Sequence, residues 1–146
     1  MSEIKLTKDS IENAILTDGK LVGGYVDGNG YISAKGNGTI VFGDSNNGGV
    51  IDASGIGSFA CGFADNNSTI SISGNGAVAT GYVEQNASIN AKGSGAHAEG
   101  YAYSTIDASG YGAHAEGYNT KATADGAHAE GRDTKAIEMY SHAEGY

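Results

Sequence analysis

The chain reads as an all-β protein, a flattened β-solenoid with two short strands per rung, and three observations lead there. First, the letters G-A-H-A-E-G stand at Gly95 to Gly100, Gly112 to Gly117 and Gly126 to Gly131, with a degenerate copy at Tyr140 to Gly145. Taking the last glycine of each copy as an anchor and working upstream finds Gly81, Gly62, Gly43 and Gly24, so the anchors are spaced by 19, 19, 19, 19, 17, 14 and 14 residues. Fixed-period self-similarity of this kind is the signature of a repeat array. Second, each repeat holds two segments with period-two alternation, each about five residues long, which suits strands and is too short for helices. Third, the 25 glycines gather in corners such as Gly36-Asn37-Gly38 and Gly74-Asn75-Gly76, where glycine permits positive φ and close backbone approach.

Residues 1–19 stand outside the repeat. Thr7 is placed to cap a short helix through Ile11, Ala14 and Ile15, with Asp18-Gly19 as its stop. So short a helix is expected to pack on the first rung or on a partner chain. Residues 20–146 form the array, with Leu21 and Val22 entering in register with Ile40 and Val41. In each repeat one strand ends at the anchor glycine, as in Thr39 to Gly43, Ser58 to Gly62, Ala77 to Gly81 and Ala96 to Gly100. The other is Ile32-Ser33-Ala34, then Ile51-Asp52-Ala53, Ile70-Ser71-Ile72, Ile89-Asn90-Ala91 and Ile106-Asp107-Ala108. A period of 14 just accommodates two short strands and two tight turns.

Equivalent residues of successive rungs should stack at about 4.8 Å, and the inside of so thin a roll needs small side chains. The set Val41, Ala60, Ala79, Ala98, Ala115, Ala129 and Ala143 supplies them, flanked by Thr39, Ser58, Ala77, Ala96, Ala113, Ala127 and Ser141. The alternate set must then point out of the roll. It contains Leu21, Ile40, Phe42, Phe59 and Val78, followed by His97, His114, His128 and His142 with Glu99, Glu116, Glu130 and Glu144. An outward stripe of Ile, Phe and Val is an exposed apolar patch, and the simplest surface to cover it is the same stripe on other copies of the chain.

Composition excludes several roles. A formal charge of -9 offers no basic face for phosphate, so a nucleic-acid partner is not expected. No apolar run approaches the length of a membrane span, and M-S-E-I-K-L-T-K lacks a hydrophobic signal core, so no export signal or membrane anchor is expected within the chain as given. The single cysteine, Cys61, cannot form an intrachain disulfide, and its place in the column of Phe42 and Thr80 predicts a packed small side chain.

Rungs of the form A-H-A-E-G-Y-N-T-K-A, repeated 14 residues later, closely resemble the head repeats of trimeric autotransporter adhesins and the S-H-A-E-G repeats of bacteriophage tail fibres and spikes. The resemblance runs from Lys20 to Tyr146 and is strongest from Gly95 onward. It implies a left-handed parallel β-roll, three copies of which pack around a threefold axis with the outward strand positions turned toward it. Ile40 with Phe42 matches that pattern, and His97 with Glu99 substitutes for it. The chain departs from the family in the five extra residues between anchor and second strand of the first four full repeats and the three of the fifth. It also lacks a C-terminal membrane β-barrel, long coiled-coil stalk or chaperone domain, which shifts the expectation toward a phage fibre or a fragment. Glu138 and Met139 replace small corner residues in the last rung, where the coil is expected to end.

The candidate sites follow from these columns. On the resemblance, Ile40, Phe42, Phe59 and Val78 with His97, Glu99, His114, Glu116, His128, Glu130, His142 and Glu144 form a ladder along a trimer axis. There His and Glu would knit the chains by charge-assisted hydrogen bonds. No cofactor is required; if an axial metal is bound, its ligands are His97, His114, His128 and His142, since imidazole suits zinc, nickel, copper and iron. No nucleophile accompanies these pairs, and no enzyme activity is expected from them. An aromatic column follows the anchors at Tyr25, Phe63, Tyr82, Tyr101, Tyr118 and Tyr146, interrupted by Asp44 and Arg132. It serves rung-to-rung packing, or a sugar-binding strip. The inserted loops, with Asp27, Asn29, Asn46, Asn47, Asp65, Asn66, Asn67, Glu84 and Asn86, are the candidate receptor-binding edge.

The function expected is therefore structural and adhesive: a homotrimeric segment of a phage tail fibre or bacterial surface adhesin, located on the virion tail fibre, or on the bacterial cell surface if part of a larger adhesin. Its partners would be a cell-surface glycan or protein receptor and other fibre or tail components. The alternatives are a polysaccharide-degrading tailspike, for which Asp52 and Asp107 are available carboxylates, and a carbohydrate-binding solenoid.

Overall fold

The computed structural model describes residues 4–6, 15–17 and 19–146, and these form strands and turns with no helix among them. One sheet has eight strands, in spatial order β1 (Ile4–Leu6), β4 (Tyr31–Ala34), β6 (Val50–Ala53), β8 (Thr69–Ile72), β10 (Ser88–Ala91), β12 (Thr105–Ala108), β14 (Lys121–Ala122) and β16 (Lys135–Ala136). The other has nine, in order β17 (His142–Ala143), β15 (His128–Arg132), β13 (His114–Tyr118), β11 (His97–Ala102), β9 (Val78–Val83), β7 (Phe59–Ala64), β5 (Ile40–Ser45), β3 (Lys20–Val26) and β2 (Ile15–Thr17). Successive strands from β3 onward alternate between the two sheets, and every pairing from β3 and β4 onward is parallel and in register. The coil is thus a parallel β-solenoid with two strands per rung. Its first rung is closed by antiparallel strands, β1 on β4 and β2 on β3. The expected helix differs here: its start at Thr7, Ile11 and Ala14 lies outside the described residues, and its end at Ile15 is in strand β2. Ile15-Leu16-Thr17 pairs with Val22-Leu21-Lys20, so a free sheet edge won these residues from a helix too short to hold itself.

Equivalent columns fill the interior. Val22, Val41, Ala60, Ala79, Ala98, Ala115 and Ala129 are fully buried on the nine-stranded sheet. They face Ile32, Ile51, Ile70, Ile89 and Ile106 of the other sheet, also fully buried. Extending β5, β7, β9 and β11 past the anchor adds one more inward column, Ser45, Ala64, Val83 and Ala102. This is where inserted residues go: one lengthens the anchor strand, from the five residues of β13 to the six of β9, and the others serve the turn and the start of the next strand. In the 14-residue rungs the insertion is gone, and Thr120 takes the buried place of Ile106 with its hydroxyl left without a hydrogen-bond partner. Past Glu138 and Met139 the coil makes one more pairing, the two residues of β17 on β15.

The anchor glycine is explained by contact. Gly81 has φ +143°, and a Cβ there would stand 2.0 Å from the carbonyl oxygen of Gly100 on the next rung and 2.8 Å from Ile89 Cδ1. By contrast, the corner residue Gly57 has φ +65°, and a Cβ there would have nothing within 4 Å. Gly81→Ala is therefore expected to cost roughly 3 kcal/mol or more, adding a backbone clash to a conformation that alone costs an L-residue about 1–2 kcal/mol. Gly57→Ala should cost only about 1 kcal/mol. Urea denaturation of the two variants checks this, and equal losses would refute the contact argument.

Candidate functional site

The outward face of the nine-stranded sheet carries the Ile/Phe/Val and His/Glu residues in columns. Ile40 is 39 % exposed, and Phe42, Phe59 and Val78 are half-buried. Cys61 shares this face, in register with Phe42, Thr80 and, through Thr80, Glu99, so it is half-exposed rather than enclosed. The alternation that buries Ala60 necessarily turns its neighbour outward.

Strands β11, β13, β15 and β17 then place four histidines in one stack. Ring centroids are 4.7 Å apart for His97 and His114, 4.6 Å for His114 and His128, and 4.8 Å for His128 and His142, with interplanar angles of 1°, 5° and 11°. These are the spacings of the parallel ladder itself. A glutamate two residues on shares each strand face. His97 Nε2 lies 3.1 Å from Glu99 Oε2, and His142 Nε2 reaches back one rung to Glu130 Oε1 at 3.1 Å. His114 Nε2 is 3.3 Å from Glu116 Oε2, close enough for an ion pair but not aligned for a hydrogen bond. It and His128 Nε2 are buried atoms without a hydrogen-bond partner. Glu144 is exposed at the chain end. Glu99, Glu116 and Glu130 line an open groove of about 450 Å³ that runs over the anchor glycines.

Burial, and next the neighbouring His97 and His128, push the His114 imidazole below its usual value, against the opposing pull of Glu116 and Glu99. The ion pairs are half-exposed, and such pairs contribute at most about 1 kcal/mol each.

On the same outward face, past the anchor glycines, the aromatic column stacks from Phe63 onward. Centroids are 5.0 Å apart for Phe63 and Tyr82, 5.3 Å for Tyr82 and Tyr101, and 5.4 Å for Tyr101 and Tyr118. Arg132, which breaks the aromatic run in sequence, continues it in space: its guanidinium carbon lies 4.9 Å from the Tyr118 ring and 5.1 Å from the Tyr146 ring. The Glu84 carboxylate accepts hydrogen bonds from the hydroxyls of Tyr82 and Tyr101, and holds the Tyr101 phenol up at about 12.

The loop edge has a backbone reason for its composition. Asn66 and Asn67, and likewise Gln85 and Asn86, have positive φ at both central turn positions, as does Asn47 with Gly48. Asn tolerates this conformation better than most residues. Asp65 Oδ1 accepts from Asn66 N and from Asn47 Nδ2 at 2.8 Å each, and Asp27 Oδ1 accepts from Gly28 N at 2.7 Å. Asn29 and Asn86 are exposed, Asn46 half-buried. Among the candidate carboxylates, Asp52 pairs with Lys35 and Asp107 with Lys92. The two stand three rungs apart in one column, about 14 Å at the strand spacing, beyond the reach of a glycosidase pair.

Compared with protein-family models, curated proteins and solved structures, the chain matches none.

Because the folded state holds His114 below its unfolded value near 6.5, its favourable contribution is complete above that value and is lost as pH falls through the folded one. Denaturation midpoints should accordingly fall between about pH 7 and pH 5, less steeply for His114→Gln. A midpoint that rises on acidification would mean the imidazole is held charged.

Proposed function

We propose that this chain is a structural and adhesive segment of a fibre, assembled as a homotrimer through the outward face of its nine-stranded sheet. The observation that carries the reading is the ladder on that face. It begins with the exposed Ile40 and half-buried Phe42, Phe59 and Val78, and ends in His and Glu columns with two unpartnered imidazole nitrogens. An apolar stripe on a rigid, regular surface needs a partner of matching length, and another copy of the same solenoid has it by construction. The threefold geometry and left-handed coil follow from the resemblance to adhesin heads and phage fibre repeats. With the ladder part of that face closed, the stacked Tyr82, Tyr101 and Tyr118, at its edge past the anchor glycines and beside the turns of Asp65, Asn66 and Glu84, form the outward surface for a host receptor. Planar aromatic rings next to carboxylates and amides favour a cell-surface glycan as that receptor. The segment belongs, on this reading, to a virion tail fibre or a bacterial surface adhesin.

Light scattering of the purified chain should give three times its 14.7 kDa mass. Phe59→Asp, which sets a charge in the stripe, should return it to a single chain mass without unwinding the β-signal in circular dichroism. A wild-type mass of 14.7 kDa at every concentration would overturn the trimer. For the receptor, Tyr82→Ala with Tyr101→Ala should weaken binding to surface glycans at least tenfold while the trimer persists, at roughly 1.4 kcal/mol per tenfold.

A further inference from the structure

We propose that the histidine column is a divalent transition-metal site complete within one chain, in which imidazoles from two neighbouring rungs and the carboxylate beside them hold one ion. Three such groups occur among the described residues: His97 with Glu99 and His114, His114 with Glu116 and His128, and His128 with Glu130 and His142. In each, one donor atom per residue lies within 4.8 Å of the others. Two imidazoles and a carboxylate suit a late first-row divalent ion such as Zn²⁺, Ni²⁺ or Cu²⁺ and not Ca²⁺ or Mg²⁺, which prefer oxygen ligands throughout. This differs from a metal on a threefold axis and does not depend on the chain being a trimer.

Several independent features favour it. The Nε2 atoms of His114 and His128 are buried and have no hydrogen-bond partner, so a neutral ring protonated at Nδ1 offers a lone pair there with no hydrogen bond to break. Three glutamates along one groove raise the local concentration of cations. The stacked rings themselves must yield. Donors around a tetrahedral zinc stand about 3.4 Å apart, given bonds near 2.0–2.1 Å. Paired rings must therefore tilt out of the stack so that their lone pairs converge. That motion is a rotation about the soft χ2 torsion, at half-exposed side chains.

The column also dictates how many ions fit. Neighbouring groups share a histidine, His114 for the first two and His128 for the last two, so adjacent groups cannot fill together. Full loading is two ions per chain, in the first and last groups. Removing the outer histidines leaves only the middle group and one ion. Removing the inner pair leaves no two histidines on neighbouring rungs.

Zn²⁺ titration of the full chain by isothermal calorimetry and equilibrium dialysis tests this. The wild type should bind two ions, His97→Gln/His142→Gln one, and His114→Gln/His128→Gln none, its affinity falling by roughly 100-fold or more, since even outer-shell partners of a ligand are worth 10–100-fold. Ca²⁺ should not compete. Without any substitution, Zn²⁺ should shift the ring resonances of all four histidines. An axial site using one ring per rung would leave the two double variants equal, with one ion per three chains at each remaining rung. That result, or a wild type that binds no Zn²⁺, overturns the proposal.

Discussion

Everything in this molecule depends on one close approach, the backbone of each anchor glycine lying against the carbonyl of the next. At Gly81 there is room for a hydrogen and not for a methyl. That contact holds successive rungs in strict register, residue on equivalent residue, at the spacing of hydrogen-bonded strands. Repetition then turns single residues into columns. The alanines become a thin core, the tyrosines a ring stack and the histidines a second one. No side chain on these faces acts alone, because the residues above and below it occupy the same place in their own rungs.

The same constraint explains the change in period. The 19-residue rungs hold an extra inward column and a wide isoleucine core, while the 14-residue rungs dispense with both. Where Ile106 gives way to Thr120, a buried apolar side chain is replaced by a hydroxyl that finds no partner, an unfavourable exchange. The C-terminal rungs thus have the least apolar core, and they are the rungs that carry His and Glu outside. Cohesion there is expected to come from what the outer face binds, whether a second copy of the chain or a metal ion, more than from the interior.

Much of this is legible in the sequence because a solenoid converts periodicity directly into position. The anchor spacing places each strand, although the strands run on past the anchor glycine to Ser45, Ala64 and Val83 and do not end there as expected, and alternation sorts Val41, Ala60 and Ala79 inward from Ile40, Phe59 and Val78. Residues without a repeat partner are less readable. Ile15 carries apolar spacing compatible with a helix, and only the open edge of β3 decides for a strand. The pairing of Glu130 with His142 instead of His128 is a choice of rotamer across rungs, which no spacing encodes. Nor does spacing show that Arg132 extends the aromatic stack, although its place in that column is visible. The composition of the Asn-rich turns suggests a binding edge; their left-handed backbone accounts for the same residues without a ligand.

The most direct test of the account is the pattern of backbone contacts between rungs, measured by proton–proton nuclear Overhauser effects on an isotope-labelled sample. In-register parallel stacking requires contacts from Gly62 to Gly81, Gly81 to Gly100, Gly100 to Gly117 and Gly117 to Gly131, so that the separation along the chain shrinks from 19 to 17 to 14 residues. Contacts between the two strands of one repeat in an antiparallel hairpin pattern would contradict it, and with it the columns on which both the proposed trimer face and the proposed metal site rest.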